Sequence, residues 1–215
     1  MNATQRRVAL MRTRGINLVL DVGANTGQFG GSLRSLGYRG RIVSFEPLND
    51  AFATLEKTIA GDPNWTCHNF ALGDTDTVAT INIAANSQSS SFLPYTERAL
   101  RVEPSIAFTG TQQTTMRRRD GILEAVARPA DNLYLKIDAQ GYEMKILEGA
   151  SGVIDRFRLV QIETSFFQVY QGEVLIADMI KHMESLGFRI VGMEPGWEDA
   201  KTGELLQADV IFGRK

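Results

Sequence analysis

Short, unbroken apolar runs recur along this chain, each ending in an acid, a proline or a glycine, at intervals that leave room for a helix in between. They occupy residues 18–22, 41–45, 66–72, 133–138 and 158–163. A continuous apolar run of this length predicts a strand buried on both faces. Segments of helical period lie between them. Phe29, Leu33 and Leu36 share one face before Gly37, and Phe52, Leu55 and Ile59 share another behind a cap at Asn49 or Asp50. Helices are also predicted over 142–148, closed by Gly149, and over 174–186, where Leu175, Ile176, Met179, Ile180 and Met183 form the apolar face. Residues 188–193 and 208–212 read as a final pair of strands joined by a long turn. Strands alternating with helices predict an α/β domain with a mostly parallel sheet.

Two stretches break this rhythm. Residues 2–14 form a polar, basic segment whose apolar contacts are Val8 and Met11, so residues 1–15 are predicted to be a flanking helix. Residues 78–84 alternate with period two, and a Ser-rich, proline-containing loop follows before a strand at 114–119 that is expected to return the chain to the sheet. With no internal repeat and no second core, residues 16–215 read as one domain with an insertion at about 78–119.

Composition narrows the function. Hydrophobic residues make up 43% and charged residues 22% of 215 residues, an ordinary globular balance. A formal net charge of −2 gives no global pull toward nucleic acid or anionic membrane. No apolar run approaches the roughly 20 residues that span a bilayer. The arginines near the N-terminus lack the apolar core of a signal peptide. Cys67 is the only cysteine, which excludes an internal disulfide and a multi-cysteine zinc site. A cytoplasmic protein is expected, and a homo-oligomer is left open.

The chemistry gathers at strand ends. After the first run, Gly23 and Gly27 allow a sharp turn into a helix whose free N–H groups face the crevice, the arrangement of a nucleotide-type cofactor site. A plain strand-to-helix turn is the alternative. Asp21, Glu46, Asp138 and Glu163 all fall at carboxyl ends of predicted strands, which line one crevice in an open α/β sheet. Glu46 lies about 20 residues past Gly27, the spacing at which an acid reaches ribose hydroxyls. A dinucleotide enzyme fits less well. The middle glycine that admits a pyrophosphate is missing, and Tyr142 and Lys145 stand three apart, where a short-chain dehydrogenase has four. An acidic crevice suits the sulfonium of S-adenosylmethionine.

Several stretches together resemble the FkbM-type S-adenosylmethionine-dependent methyltransferases. They are Leu-Asp-Val-Gly-Ala-Asn-Thr-Gly-Gln-Phe (20–29), Ser-Phe-Glu-Pro (44–47), Ala-Leu-Gly-Asp (71–74), Leu-Lys-Ile-Asp-Ala-Gln-Gly-Tyr-Glu (135–143), Leu-Glu-Gly-Ala (147–150), Gln-Ile-Glu (161–163) and Ala-Asp-Val-Ile-Phe (208–212). Ala139 stands where the family more often has Val, and Arg119 replaces an apolar residue before Asp120. The resemblance implies a Rossmann-like, seven-stranded sheet in the order 3-2-1-4-5-7-6 with the last strand antiparallel. It also implies O-methylation of a sugar, glycolipid or natural product, with N-transfer to a peptide or amide as an alternative. Mapped onto this chain, Asp21, Gly23, Ala24, Asn25, Gly27 and Phe29 would hold the methionine and ribose parts of the cofactor. Glu46 would take the ribose hydroxyls, Ala71, Leu72 and Asp74 would border the adenine, and Asp138 would sit nearest the methyl.

A hydroxyl acceptor loses its proton as it attacks, so a base is expected. Asp138 is the first candidate and Glu163 the second. Glu143 could orient either of them or join them around a divalent cation, which the sequence permits without requiring. Lys136, mid-strand, is expected to be paired within the sheet. His68, His182 and Cys67 read as structural. Ser90, Ser91, Phe166 and Tyr170 are candidates for a small-molecule or glycan acceptor. The basic run 117–119 reads as a solvated face, with an anionic acceptor group as the alternative. A non-catalytic nucleotide- or glycan-binding module of the same fold is the contrasting possibility.

Overall fold

In a computed structural model, residues 3–215 are described, so Met1 and Asn2 lie outside the described residues, as do the side chains of Arg119 and Asp120. The elements run α1 (Ala3–Thr13), β1 (Leu18–Val22), α2 (Gln28–Ser35), β2 (Arg41–Phe45), α3 (Asn49–Ile59), β3 (Trp65–His68), β4 (Ala71–Gly73) and β5 (Thr77–Ala84). They continue with α4 (Glu97–Val102), β6 (Phe108–Arg118), α5 (Arg119–Val126), β7 (Leu133–Ile137), α6 (Glu143–Glu148), β8 (Phe157–Ser165), α7 (Ile176–Ser185), β9 (Phe188–Pro195) and β10 (Gln207–Arg214).

The main sheet has seven strands in the order β3-β2-β1-β7-β8-β10-β9. β10 runs antiparallel to both neighbours, and the pairs among β1, β2, β3, β7 and β8 are parallel. With β4 to β6 set aside, this is the order 3-2-1-4-5-7-6 that the resemblance implies. Alternate residues of each strand serve opposite faces. Leu18, Leu20 and Val22 pack with Leu123, Ile146, Met179 and Met183, under α5, α6 and α7. Val19, Tyr134, Leu159 and Ile211 pack with Val8, Met11, Leu33 and Leu55, under α1, α2 and α3. The continuous apolar runs are continuous because both faces are covered.

The insertion departs from the sequence reading. The run 66–72 divides: β3 ends at His68, and β4 leaves for a second, three-stranded sheet, β4-β6-β5. β6 does not return to the main sheet but pairs antiparallel with β5 and parallel with β4. Its Thr- and Gln-rich sequence is largely exposed, which suits a sheet with one wet face and not one covered on both. The intervening loop is also ordered. It forms α4, and Tyr95, Ala99 and Ile106 pack on Val169 and Tyr170, covering the carboxyl ends of the main strands. Helix α5 follows β6 directly and was not anticipated by the pattern.

Candidate active site

The tips of β1, β2, β7 and β8 open into a cavity of about 650 Å³, roofed by the insertion and by the segment after β8. Its shape starts at the glycine turn. Gly23 has φ +72, and a Cβ there would lie 1.8 Å from the carbonyl oxygen of Asp138. This glycine therefore lets the tips of β1 and β7 touch backbone to backbone. Gly27 has φ +92 and packs against Leu55, Thr58 and Trp65. Each glycine thus serves the fold around the site, and Gly23 also lines the cavity.

Asn25 is left-handed, φ 47, which turns its N–H toward Glu46. That N–H donates to Glu46 Oε2 at 2.7 Å, and the N–H of Leu48 donates to Oε1 at 2.9 Å. The buried carboxylate is thus fixed at the cavity wall with one lone pair free on each oxygen. Burial pushes Glu46 up to about 7, against the lowering by those two backbone bonds. A second, apolar slot shares Gly23, Pro47 and Ile81 with the cavity, and Ala71, Leu72, Phe92 and Ala139 help to line it.

Asp21 does not reach the cavity. It is fully buried in a polar row that crosses four adjacent strands: Ser44 on β2, Asp21 on β1, Lys136 on β7 and Gln161 on β8. Ser44 Oγ donates to Asp21 Oδ2 at 3.3 Å, and Lys136 Nζ lies 3.3 Å from Asp21 Oδ1. Lys136 also reaches Asp138 Oδ2 at 3.4 Å and the carbonyl of Gly23 at 3.0 Å. Burial pulls its proton affinity down, but the carboxylates of Asp138 and Asp21 outweigh this and hold it raised. Lys136 is paired within the sheet, as its position suggested.

Asp138 and Glu163 meet in the cavity through Gln140, a second left-handed residue with φ 55. Its Nε2 donates to Asp138 Oδ1 and to Glu163 Oε2, both at 2.7 Å. Its Oε1 accepts from the hydroxyl of Tyr170 at 2.6 Å. Burial, then the charges of Asp138 and Asp209, holds Glu163 well above the ordinary carboxylate range. Ser90 and Tyr170 line the cavity with Trp197 and Ile106.

Other candidates stand apart from it. Glu143 is buried beneath the loop, and its Oε1 accepts from the N–H groups of Ala139 at 2.8 Å and Gly141 at 3.3 Å. Burial pushes it up to about 8. Ser91 Oγ donates to the carbonyl of Gln140 at 2.6 Å, Phe166 is 43% exposed, and Asp74 pairs with Lys145 at 3.1 Å. No cluster of three or more metal-ligating side chains occurs among the described residues. His68 stacks on Phe45 in β3, and His182 is half-buried on α7. Arg117 lies over the ring of Phe70, away from the cavity, and Arg119 falls outside the described side chains.

Pattern reading missed Arg7, Gln140, Gln161, Gln207 and Asp209, all of which line the cavity. The signal for Gln161 and Asp209 was present: each is a polar residue inside a run otherwise buried on both faces. Gln140 sat inside a quoted motif without a role. Arg7 had no signal, because only packing of α1 over the sheet brings it there.

No curated protein matches the sequence. Among solved structures, the fibrillarin/Nop5p complex superposes with a TM-score of 0.53 at 16% identity, covering 99% of this chain and 83% of that one. TehB from Haemophilus influenzae gives 0.53 at 10%, covering 98% and 62%. Aeropyrum pernix fibrillarin with natively bound S-adenosyl-L-methionine gives 0.50 at 12%, covering 96% and 74%. These likenesses speak to the fold, which is that of class I methyltransferases. No helix of the described residues is long and apolar enough to cross a membrane. The methyltransferase FkbM domain matches residues 21–190, most of the chain and every motif that lines the cavity from Gly23 to Glu163. The protein belongs to the FkbM methyltransferase family.

Proposed function

We propose that this protein transfers a methyl group from S-adenosylmethionine to a hydroxyl of a sugar, glycolipid or related natural product. The observation that carries the reading is the Glu46 carboxylate, locked by two backbone N–H groups with one acceptor lone pair left on each oxygen. That donor set fits a ribose diol. The apolar slot beside it, lined by Ala71 and Leu72, fits an adenine ring. Ala24 and Asn25, within the glycine turn, and Phe29, in the helix after it, line the cavity where the methionine part would lie.

When bound, S-adenosylmethionine supplies an electrophilic methyl on a sulfonium. The chain then has to hold an acceptor in line and take its proton. Asp138 and Glu163 are the groups for that task, held a fixed distance apart by one amide of Gln140. Glu163 suits the base better, because Asp138 Oδ2 is already engaged by Lys136, whereas Glu163 Oε1 has no partner among the described residues. Burial also raises its proton affinity, which suits a group that has to take a proton. Glu143 acts through the loop that it ties down. Trp197, in the cavity wall, offers a flat apolar face for a sugar ring. The acidic wall disfavours a phosphate backbone, which argues for a small acceptor over nucleic acid.

The test is transfer of a labelled methyl from S-adenosylmethionine to a panel of sugars, glycolipids, amines and RNA. Label on a sugar oxygen supports the reading. Label only on amines, or only on RNA, contradicts it.

A further inference from the structure

We propose that Arg7, on the N-terminal helix, binds the carboxylate of the cofactor's methionine moiety. This rests on the cofactor reading above and adds a residue that neither the glycine turn nor the strand-tip acids supply.

Among the described residues, two cationic side chains line the cavity, Arg7 and Lys136. The ammonium of Lys136 is already engaged by Asp21, by Asp138 and by the carbonyl oxygens of Gly23 and Val22. Its protons are committed within the polar row. Arg7 differs. It is only 7% exposed, and the edge formed by Nε and Nη2 is taken by the two carboxylate oxygens of Glu194. A guanidinium carries five N–H donors in a fixed fork, so its Nη1 remains for another acceptor. No partner of Nη1 occurs among the described residues.

Its position suits an amino-acid end. The guanidinium stands 4.9 Å from the ring centroid of Phe29, in the first turn after the glycine loop. Glu46, the proposed ribose acceptor, holds the other side of that loop through the N–H of Asn25. A cofactor whose ribose meets Glu46 and whose chain passes along the loop toward Phe29 brings its carboxylate to Arg7. The Glu194 pair keeps the guanidinium fixed in the wall and offsets the cost of burying it.

The test compares two probes by calorimetry, S-adenosylhomocysteine and its decarboxylated analogue, which keeps the ammonium and loses only the carboxylate. Wild-type protein should prefer S-adenosylhomocysteine by about tenfold or more, the range of a charge-assisted hydrogen bond. Arg7→Met should shrink that preference to within about threefold while leaving affinity for the analogue nearly unchanged. Because Arg7→Met strands Glu194, the same comparison is made in Arg7→Met/Glu194→Gln, which removes both charges. Full retention of the preference in either variant overturns the assignment, as does an equal loss for both probes. Wild-type protein that binds neither probe would overturn the cofactor reading itself, and this assignment with it.

Discussion

Lys136 lies 3.3 Å from Asp21 across the β1–β7 pair, with both side chains buried and Lys136 forming part of the cavity floor. The acid of the glycine-turn motif is therefore a structural anchor. It holds an ammonium that reaches up to Asp138 and to the turn carbonyl of Gly23. Removing one partner of a buried pair leaves a bare charge, which costs about 3–5 kcal/mol. Lys136→Met should lower unfolding stability in urea by about that amount. Asp21→Asn/Lys136→Met should recover much of the loss, because the one carboxylate left without its cation, Asp138, is partly exposed to solvent. Two additive losses would refute this pairing.

The pH dependence follows from the raised carboxyls. Glu46 titrates at about 7 and Glu143 at about 8 in the folded chain, both because of burial, against 4.5 when unfolded. Over that window the folded state binds more protons than the unfolded one. The stabilisation is thus complete below about 4.5 and is lost as pH rises through 7 to 8. The Tm of the ligand-free protein should fall between pH 6 and pH 9, and Glu143→Gln should flatten the upper part of that fall. A Tm that rises over the same range would contradict the assignment.

Gly23 joins two strand tips at the cavity wall. A Cβ there would overlap the Asp138 carbonyl at 1.8 Å, and its φ of +72 disfavours any L side chain. Gly23→Ala should destabilise the fold by several kcal/mol and displace Asp138, reducing soluble yield before any effect on binding is seen. Native-like melting in this variant would show the close approach to be dispensable.

Gln140 gives the two candidate bases a shared support that can be removed without changing either. Glu163→Gln should lower turnover by about 10²–10⁴-fold, the usual contribution of a placed base, with cofactor affinity nearly unchanged. Gln140→Leu should lower turnover by about tenfold or more and shift the pH–rate profile, since both carboxylates lose a donor. Tyr170→Phe removes only the hydroxyl that orients Gln140 and should have a smaller effect in the same direction. An unshifted pH profile in Gln140→Leu would leave Gln140 a packing residue.

The main sheet was legible because its strands are buried on both faces, so their apolar runs stand out and their order follows the family pattern. Glu46, Asp138 and Glu163 were legible for a related reason: an acid just past the last apolar residue of such a run is carried toward the crevice. The insertion was not. Its strands are half-exposed, and nothing local distinguishes β6 joining β5 and β4 from β6 rejoining the main sheet. The run at 66–72 hid a break for the same reason, since Asn69 and Phe70 sit between two short strands in different sheets. Arg7 comes from the N-terminal helix, so only the tertiary fold brings it to the cavity that Asp209 also lines. Asp21 shows the converse, a motif acid whose position was right and whose partner was Lys136 rather than a ligand.

The account stands most directly on a calorimetric titration of the protein with S-adenosylmethionine. Saturable binding at a single site, weakened about tenfold or more in folded Glu46→Ala, is the predicted result. Absence of binding to folded wild-type protein, or equal affinity in Glu46→Ala, would contradict it.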